Sequence, residues 1–166
     1  MENSTTIQNE ESQTVVLCDV PRSDNDVYRI ARKEYKGERF IDLRIFFRSR
    51  EDASKLVPTS KGVCFREKLR EDLIAGLIMA RQAPEVERAE GEQFRSVKIC
   101  EVPLSETEHY RISKGAGAKN GFVDVRKFFQ KDGAFIPSKR KGLSILVASL
   151  DDVITGLMLT EPEHLA

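Results

Sequence analysis

Short runs of alternating hydrophobic and polar residues recur along the chain, and this alternation is typical of half-buried β-strands. The clearest run is Arg39–Phe47, in which Ile41, Leu43 and Ile45 alternate with polar and aromatic residues. Three further runs in the same half of the chain predict strands: Thr14–Val20, Val27–Tyr35 and Lys61–Phe65. The pattern therefore predicts an antiparallel sheet of short strands in this region.

A helical pattern follows the strands at Arg66–Arg81, and a second helix is predicted at Ala148–Thr160. The first helix carries an apolar stripe made of Leu69, Leu73, Ile74, Leu77 and Ile78. Gly76 lies inside this helix, where glycine costs about 1 kcal/mol relative to alanine. Because Gly156 occupies the same place in the second helix, we expect the two helices to pack closely against each other.

The chain contains two similar segments, since Val15–Leu77 recurs as Val97–Leu157. For example, Tyr28-Arg29-Ile30 recurs as Tyr110-Arg111-Ile112. A repeat of this length is a small domain and not a solenoid unit. The predicted fold class is α+β, with two tandem units that each contain a curved antiparallel sheet of about four strands followed by one helix. One helix leaves apolar surface bare on such a sheet, so the units are expected to pair as an intrachain pseudo-dimer.

Charge is distributed unevenly, although the formal net charge is zero. The predicted segments are an acidic disordered tail at 1–14, a first domain at 15–81, an acidic linker at 82–93, a second domain at 94–160 and a tail at 161–166. Both predicted domains are basic, and the first tail and the linker are acidic. This distribution suits domains that bind an anion, but ordinary surface charge explains it equally well.

Composition and spacing argue against several other classes of protein. No apolar run approaches the roughly 20 residues of a membrane helix, and the amino terminus lacks the form of a signal peptide. The three cysteines are expected to be free thiols in an intracellular protein, and no spacing of cysteine and histidine predicts a metal site or a cofactor. The paired acids Glu71-Asp72 and Asp151-Asp152 are interpreted as solvated helix faces, so no enzymatic activity is predicted.

Basic and aromatic residues cluster in both segments, which is the chemistry that single-stranded nucleic acid requires. Cations neutralise the phosphates, and flat side chains stack on the bases. The alternative is a structural role, in which Asp42 pairs with Arg44 and Asp124 pairs with Arg126. The same alternative places the phenylalanines Phe46 and Phe128 in the core, and we favour the core for these two.

Strand geometry limits which of these residues can act together. Arg44 and Phe47 are three positions apart, so regular alternation points their side chains to opposite faces of the sheet. Both can reach one ligand only if the strand twists or bulges near its end.

The order of motifs resembles the transcriptional coactivator family of positive cofactor four. In the first segment the resemblance rests on Tyr35-Lys36-Gly37, Ile41-Asp42-Leu43-Arg44, Phe46-Phe47 and Lys61-Gly62. In the second segment it rests on Val123-Asp124-Val125-Arg126, Phe128-Phe129 and the run 137–145. The resemblance implies a four-stranded antiparallel sheet followed by a helix. It also implies dimerisation through the helix, with two curved sheets forming a cradle for single-stranded or melted DNA.

The resemblance further implies roles for individual residues. Tyr35 matches the stacking aromatic after the turn, where the second segment has Gly117. Arg44 and Arg126 match the strand arginine, and Phe47 matches a second stacking aromatic. The full set of predicted nucleic-acid-binding residues is Arg29, Lys33, Tyr35, Lys36, Arg39, Arg44, Phe47, Lys61, Arg111, Lys119, Arg126, Phe129, Lys139, Arg140 and Lys141.

The sequence therefore predicts a sequence-tolerant single-stranded DNA-binding protein that acts in transcription or in the maintenance of unwound DNA. The predicted partners are single-stranded DNA or melted duplex and the transcription machinery. Two alternatives remain open: a protein-interaction module that kept the fold and lost nucleic-acid binding, and an RNA-binding variant. The expected location is the nucleoid in a bacterium and the nucleus in a eukaryote.

Overall fold

One antiparallel sheet of eight strands and two helices make up the fold, as seen in a computed structural model that describes residues 13–163. The α+β class with an antiparallel sheet is therefore confirmed. The first half of the chain forms β1 Gln13–Pro21, β2 Asp26–Tyr35, β3 Glu38–Arg48, β4 Leu56–Arg66 and α1 Arg70–Gln82. The second half forms β5 Arg95–Pro103, β6 Glu108–Ala116, β7 Gly121–Lys131, β8 Ala134–Leu146 and α2 Val147–Leu157.

Some boundaries differ from the sequence prediction. The strand expected at Lys61–Phe65 begins already at Leu56, because the polar stretch before it still pairs with β3. The acidic tail expected at 1–14 lies outside the described residues except for its last two positions, which begin β1. The expected tail at 161–166 is described as far as Glu163, whose backbone N–H donates to the carbonyl of Leu17 at 2.8 Å.

The two halves of the chain meet at a central seam of the sheet, and the strands of the second half follow those of the first in reverse order. The order is β1-β2-β3-β4-β8-β7-β6-β5, so β4 and β8 are neighbours in the middle of the sheet. Within the described residues, these two strands pair at Gly62 and Gly142 alone. The seam is therefore narrow, and the sheet is continuous through a pair of glycines.

Each helix covers strands of the other half. A Cβ built on Gly156 in α2 would lie 2.6 Å from both Cys18 Sγ and Ile30 Cδ1, which belong to β1 and β2. A Cβ on Gly76 in α1 would meet the Ile112 and Cys100 side chains of β6 and β5. The glycines mark close packing, as expected, but the expected partner was wrong. They allow a helix to approach the sheet of the other half, and they do not lie between the two helices.

Two buried tyrosines link the halves beneath the helices. The Tyr28 hydroxyl donates to the carbonyl of Ser144 at 3.1 Å and accepts the backbone N–H of Leu146 at 2.9 Å. The Tyr110 hydroxyl donates to the carbonyl of Cys64 at 3.1 Å. Burial raises the pKa of both phenols, so they remain protonated donors at neutral pH.

The hydrophobic core lies between the helices and one face of the sheet. Along β3, Ile41, Leu43 and Ile45 are all buried on this face. Alternation places Asp42 and Arg44 on the other face, on which no helix of residues 13–163 packs. Neither α1 nor α2 is long and apolar enough to cross a membrane, and the same holds for every helix in residues 13–163.

Candidate nucleic-acid interface

Four arginines form a row across the face of the sheet opposite α1 and α2. Directly opposed residues in neighbouring strands point to the same side of a sheet. Arg29 is opposite Arg44, and Arg126 is opposite Arg111. Between these pairs, Arg44 is opposite Gly62 and Arg126 is opposite Gly142, and the two glycines face each other across the seam. We call this set of six residues the arginine row, and the side of the sheet that carries it the arginine face.

Carboxylates fix the two central arginines. Arg44 donates from Nε and Nη2 to Asp42 at 3.2 and 3.1 Å, and from Nη1 to the carbonyl of Thr59 at 3.0 Å. Arg126 makes the equivalent bonds to Asp124 at 3.2 and 3.3 Å and to the carbonyl of Ser138 at 3.1 Å. The ion pairs predicted as the structural alternative are therefore present. A guanidinium has five N–H donors, so each arginine keeps two for another partner.

The glycines of the seam create the space in which these guanidinium groups lie. A Cβ built on Gly62 would be 2.8 Å from Arg44 Cζ, and a Cβ on Gly142 would be 2.8 Å from Arg126 Cζ. Any side chain at these positions would displace the arginine. The two central arginines therefore rest on the backbone of β4 and β8, with 22% and 27% of their side-chain surface exposed.

The outer arginines each bind a carboxylate and an aromatic ring. Arg29 donates to Asp19 from Nε at 2.8 Å and from Nη2 at 2.9 Å, and the bond to Asp19 is the main cause of its raised pKa. Its guanidinium lies 4.7 Å from the ring centroid of Phe46. At the other end of the row, Arg111 donates to Glu101 at 3.3 Å and lies 3.9 Å from the ring of Phe128.

Phe46 and Phe128 are half-buried on the arginine face, so their assignment to the core was wrong. They alternate in register with Arg44 and Arg126, which places them on the same side of the sheet as the arginines. Cation–π contact with an arginine holds each ring in this position.

Phe47 does not share the face of Arg44. The β2–β3 register is continuous from Arg29–Arg44 to Asp26–Phe47, so β3 keeps its alternation to the end. The register shift occurs in the pairing with β4, and the extra residues belong to β4. Phe47 is exposed at the end of the strand, and Phe129 occupies the equivalent register position in β7. Regular alternation therefore points Phe47 and Phe129 away from the face that carries Arg44 and Arg126.

The bulges in β4 and β8 carry the basic loop residues. Three residues of β4, 59–61, oppose one residue of β3, and four residues of β8, 138–141, oppose one residue of β7. Thr59 Oγ1 donates to the carbonyl of Ile45 at 2.7 Å and accepts the N–H of Lys61 at 3.1 Å. Ser138 Oγ accepts the N–H of Lys141 at 3.1 Å. The hydroxyls thus hold each bulge in place beside the row.

A cleft of about 340 Å³ lies at the seam, lined by basic and neutral residues. Its lining includes Lys61, Arg126, Lys139 and Arg140, all predicted from the sequence, together with Arg22. Arg22 was missed because it has no basic counterpart in the second segment, where Leu104 stands at the equivalent position. Burial acts to lower the pKa of Arg22, but the carboxylate of Asp26 outweighs it and the pKa is raised. The residue is therefore charged.

The remaining predicted residues lie in three places. Lys33 and Tyr35 alternate with Arg29 along β2 and so share the arginine face, and Lys36 in the following turn lies 5.3 Å from the Tyr35 ring. Lys119 lies in the loop between β6 and β7. Arg39 alternates with the core residues of β3, away from the arginine face, and its nearest carboxylate is Glu67 at 4.0 Å.

Seven of the predicted cations form no ion pair with any residue in the described range 13–163: Lys33, Lys36, Lys61, Lys119, Lys139, Arg140 and Lys141. The charge of the four row arginines is balanced by their carboxylates. The surface thus combines fixed, oriented arginines with unpaired cations that are available to an anionic ligand.

In the described residues, the cysteines neither pair as disulfides nor join a cluster of metal-ligating side chains. Residues 13–163 contain no group of three metal-ligating side chains. All three cysteines are free thiols, as predicted. Burial, with smaller contributions from Glu163 and Asp19, raises the pKa of Cys18 to about 11, so this thiol stays protonated at neutral pH.

Comparison with known proteins identifies the family. The family Transcriptional Coactivator p15 (PC4) matches residues 23–76. The crystal structure of BPSL1147, a PC4 homolog from Burkholderia pseudomallei K96243, is 30% identical in its tetragonal form, with a TM-score of 0.39. That match covers 42% of this chain and 100% of the other. The orthorhombic form is 29% identical over 43% of this chain and 95% of the other, with a TM-score of 0.40.

A further solved structure, MRP1/MRP2 from Trypanosoma brucei, matches 95% of this chain and 94% of its own at 12% identity, with a TM-score of 0.34. No curated protein matches the chain. The family match in the first half and the 30% identity over the whole of a PC4 homolog agree with the motif order around Arg44. The chain belongs to the family of the transcriptional coactivator p15, PC4.

Proposed function

We propose that this protein binds single-stranded DNA across the arginine face, as an intrachain pseudo-dimer of two PC4-like units. The observation that carries the proposal is the arginine row, whose register continues across the seam through Gly62 and Gly142 and brings the cations of both halves to one face of the sheet, on which no helix of residues 13–163 packs. The binding would serve transcription or the maintenance of unwound DNA inside the cell. The proposed activity is binding, without catalysis.

The pseudo-dimer is supported by the equivalence of contacts in the two halves. Arg44 with Asp42 corresponds to Arg126 with Asp124, and each arginine lies over a glycine of the seam. Each helix packs on the strands of the opposite half through an equivalent glycine. Two units related in this way would present their sheets to one ligand as a single continuous surface.

The chemistry of the face favours a single strand over a duplex. Phosphates would be neutralised by the unpaired lysines and by Arg140, and the donors left on Arg44 and Arg126 would add hydrogen bonds from fixed positions. The exposed ring of Tyr35 offers a stacking surface for a base, and stacking requires a base that has left the double helix. Such contacts tolerate any base sequence, because every base has a flat face.

The test is fluorescence anisotropy with a labelled strand of about 20 nucleotides over a salt series, with the matching duplex and the matching RNA as competitors. We expect tighter binding to single-stranded DNA than to the duplex, and affinity that falls with salt. No binding at low salt would overturn the proposal and favour the protein-interaction alternative. Tighter binding to the RNA would reassign the ligand.

The variant pair Lys139→Ala with Lys141→Ala locates the site. Both lysines lie in the β8 bulge and have no ion-pair partner in residues 13–163. Losing two phosphate contacts should lower the salt slope by about 1.4, since each contact to a single strand contributes about 0.7. The matched control is Lys68→Ala, which removes an exposed lysine between β4 and α1 and should leave the slope unchanged. Equal effects of the two variants would contradict this location.

A further inference from the structure

Phe94 is an exposed aromatic residue that the motif pattern does not include. It immediately precedes β5, and 59% of its surface is exposed, the largest fraction among the exposed large hydrophobic residues of the described chain. Its ring stacks on Phe122 with the centroids 5.3 Å apart and the planes 15° apart. One face of the Phe94 ring is therefore packed on Phe122, and the ring remains accessible to a ligand.

The strand register places Phe94 at the site of a missing aromatic. The β5–β6 pairing ends with Arg95 opposite Ala116, so continuing the register puts Phe94 opposite Gly117. Gly117 is the counterpart of Tyr35, the exposed aromatic of the first half. The second half thus lacks an aromatic at the position that follows β6, but the residue before β5 places one beside that position.

The supporting ring lies on the arginine face. Phe122 alternates with Asp124 and Arg126 along β7, so it points to the same side of the sheet as the arginine row. It is opposite Gly115, where a Cβ would lie 2.6 Å from Phe122 Cζ. The first half has Lys33 at the position of Gly115. Glycine at 115 therefore makes room for Phe122 to lie against β6 and to support Phe94.

The segment before Phe94 is held in place by its own hydrogen bonds. Arg95 Nη2 donates to Glu92 Oε1 at 3.0 Å, and Arg88 Nη1 donates to the carbonyl of Glu92 at 2.9 Å. The backbone N–H of Glu92 also donates to the carbonyl of Ala89 at 3.0 Å, which closes a turn. A ring whose position is fixed before binding loses less conformational entropy when a ligand stacks on it.

We propose that Phe94, supported by Phe122, is the base-stacking platform of the second half, equivalent to Tyr35 in the first. Its ligand is a nucleobase of the bound single strand. The proposal rests on the single-strand binding proposed above. It assigns a role in recognition to the residue between the linker and β5, and it gives each half of the arginine face an exposed aromatic.

Tryptophan fluorescence tests the proposal directly, because the chain contains no tryptophan. Phe94→Trp introduces a single reporter at the platform, Tyr35→Trp introduces one at the equivalent place in the first half, and Met79→Trp serves as a control on an exposed position of α1. Unlabelled single-stranded DNA should quench the first two reporters and leave the third unchanged. Quenching at position 35 without quenching at position 94 would overturn the platform while leaving the proposed function intact.

Affinity measurements complete the test. Phe94→Ala should weaken single-strand binding by roughly 5- to 150-fold, the usual effect of removing one stacking aromatic, and Phe94→Tyr should retain the affinity. Phe94→Leu keeps an apolar side chain without a ring, so it should bind like the alanine variant. Wild-type affinity in the alanine variant would overturn the platform. Absence of binding by the wild-type protein would instead remove the proposed function on which it rests.

Discussion

At the scale of single residues, the two central arginines differ in how deeply their partner carboxylates are buried. The side chain of Asp42 is 4% exposed, whereas that of Asp124 is 21% exposed and accepts a further hydrogen bond from Ser144 Oγ at 2.9 Å. A buried carboxylate that loses its cation is far more costly than one that water and a hydroxyl can solvate. Arg44 therefore has a structural role that Arg126 shares only in part.

Arg44→Ala should destabilise the protein by about 3–5 kcal/mol, because Asp42 is left buried without its cation and the thiol of Cys64 beside it is only a weak donor. Arg126→Ala should cost only about 1–2 kcal/mol. Urea unfolding followed by circular dichroism measures both losses. Adding Asp42→Asn to Arg44→Ala removes the unpaired charge and should recover part of the lost stability. Equal losses in the two single variants would contradict this difference between the halves.

At the scale of secondary-structure elements, the crossed packing of the helices determines how the halves are joined. The segment that follows each helix is bound by a cation from the other half of the sheet: Lys114 Nζ donates to the carbonyl of Ala83, directly after α1, at 2.7 Å, and Arg32 Nη1 donates to the carbonyl of Thr160, beyond the end of α2, at 2.6 Å. Lys114 lies at the carboxyl end of α1, where a cation satisfies a free carbonyl and complements the helix dipole. The polar contacts and the glycine contacts therefore hold the same crossed arrangement.

Gly76→Ala should reverse the usual preference for alanine in a helix. Alanine normally gains about 1 kcal/mol there, but its methyl group would overlap Ile112 Cδ1 in the core, so we expect a net loss of about 1–3 kcal/mol. Ile112→Val removes the overlapping methyl group. In a double-mutant cycle followed by urea unfolding, the two substitutions together should cost less than the sum of their separate costs. Additive losses would show that α1 does not pack on Ile112 of the other half.

At the scale of the whole molecule, neither half is complete without the other. The surface of β1 and β2 around Cys18 and Ile30 is covered by α2, and α1 covers Cys100 and Ile112 in return. A separated half would expose both a bare sheet face and a displaced helix. Exposed apolar surface of this kind drives association between chains.

The fragment 1–88 should therefore form homodimers, in which each copy supplies the helix that the other lacks. Its unfolding midpoint should rise with protein concentration, and sedimentation equilibrium should give the mass of a dimer. Mixing it with the fragment 89–166 should produce a one-to-one complex. A folded, monomeric fragment with an unfolding midpoint independent of concentration would contradict the proposed pseudo-dimer.

The sequence by itself determined the elements and much of the site's chemistry, because both follow from local rules. Alternation along Arg39–Phe47 predicts β3, and a helical stripe predicts α1. The motif order around Arg44 also identified the family. Residue types such as Lys61 and Arg140 already carry the charge that a phosphate needs, whatever their surroundings.

Only the tertiary structure decided which of these residues act together, since that depends on strand register and on which face a helix covers. The register placed Phe46, and not Phe47, beside Arg44. Pairing across the seam joined the arginines of both halves into one row, and the crossed helices left that face open. Phe94 lies about 60 residues after Tyr35 in the chain, and only the register between β5 and β6 places it beside Gly117, the counterpart of Tyr35.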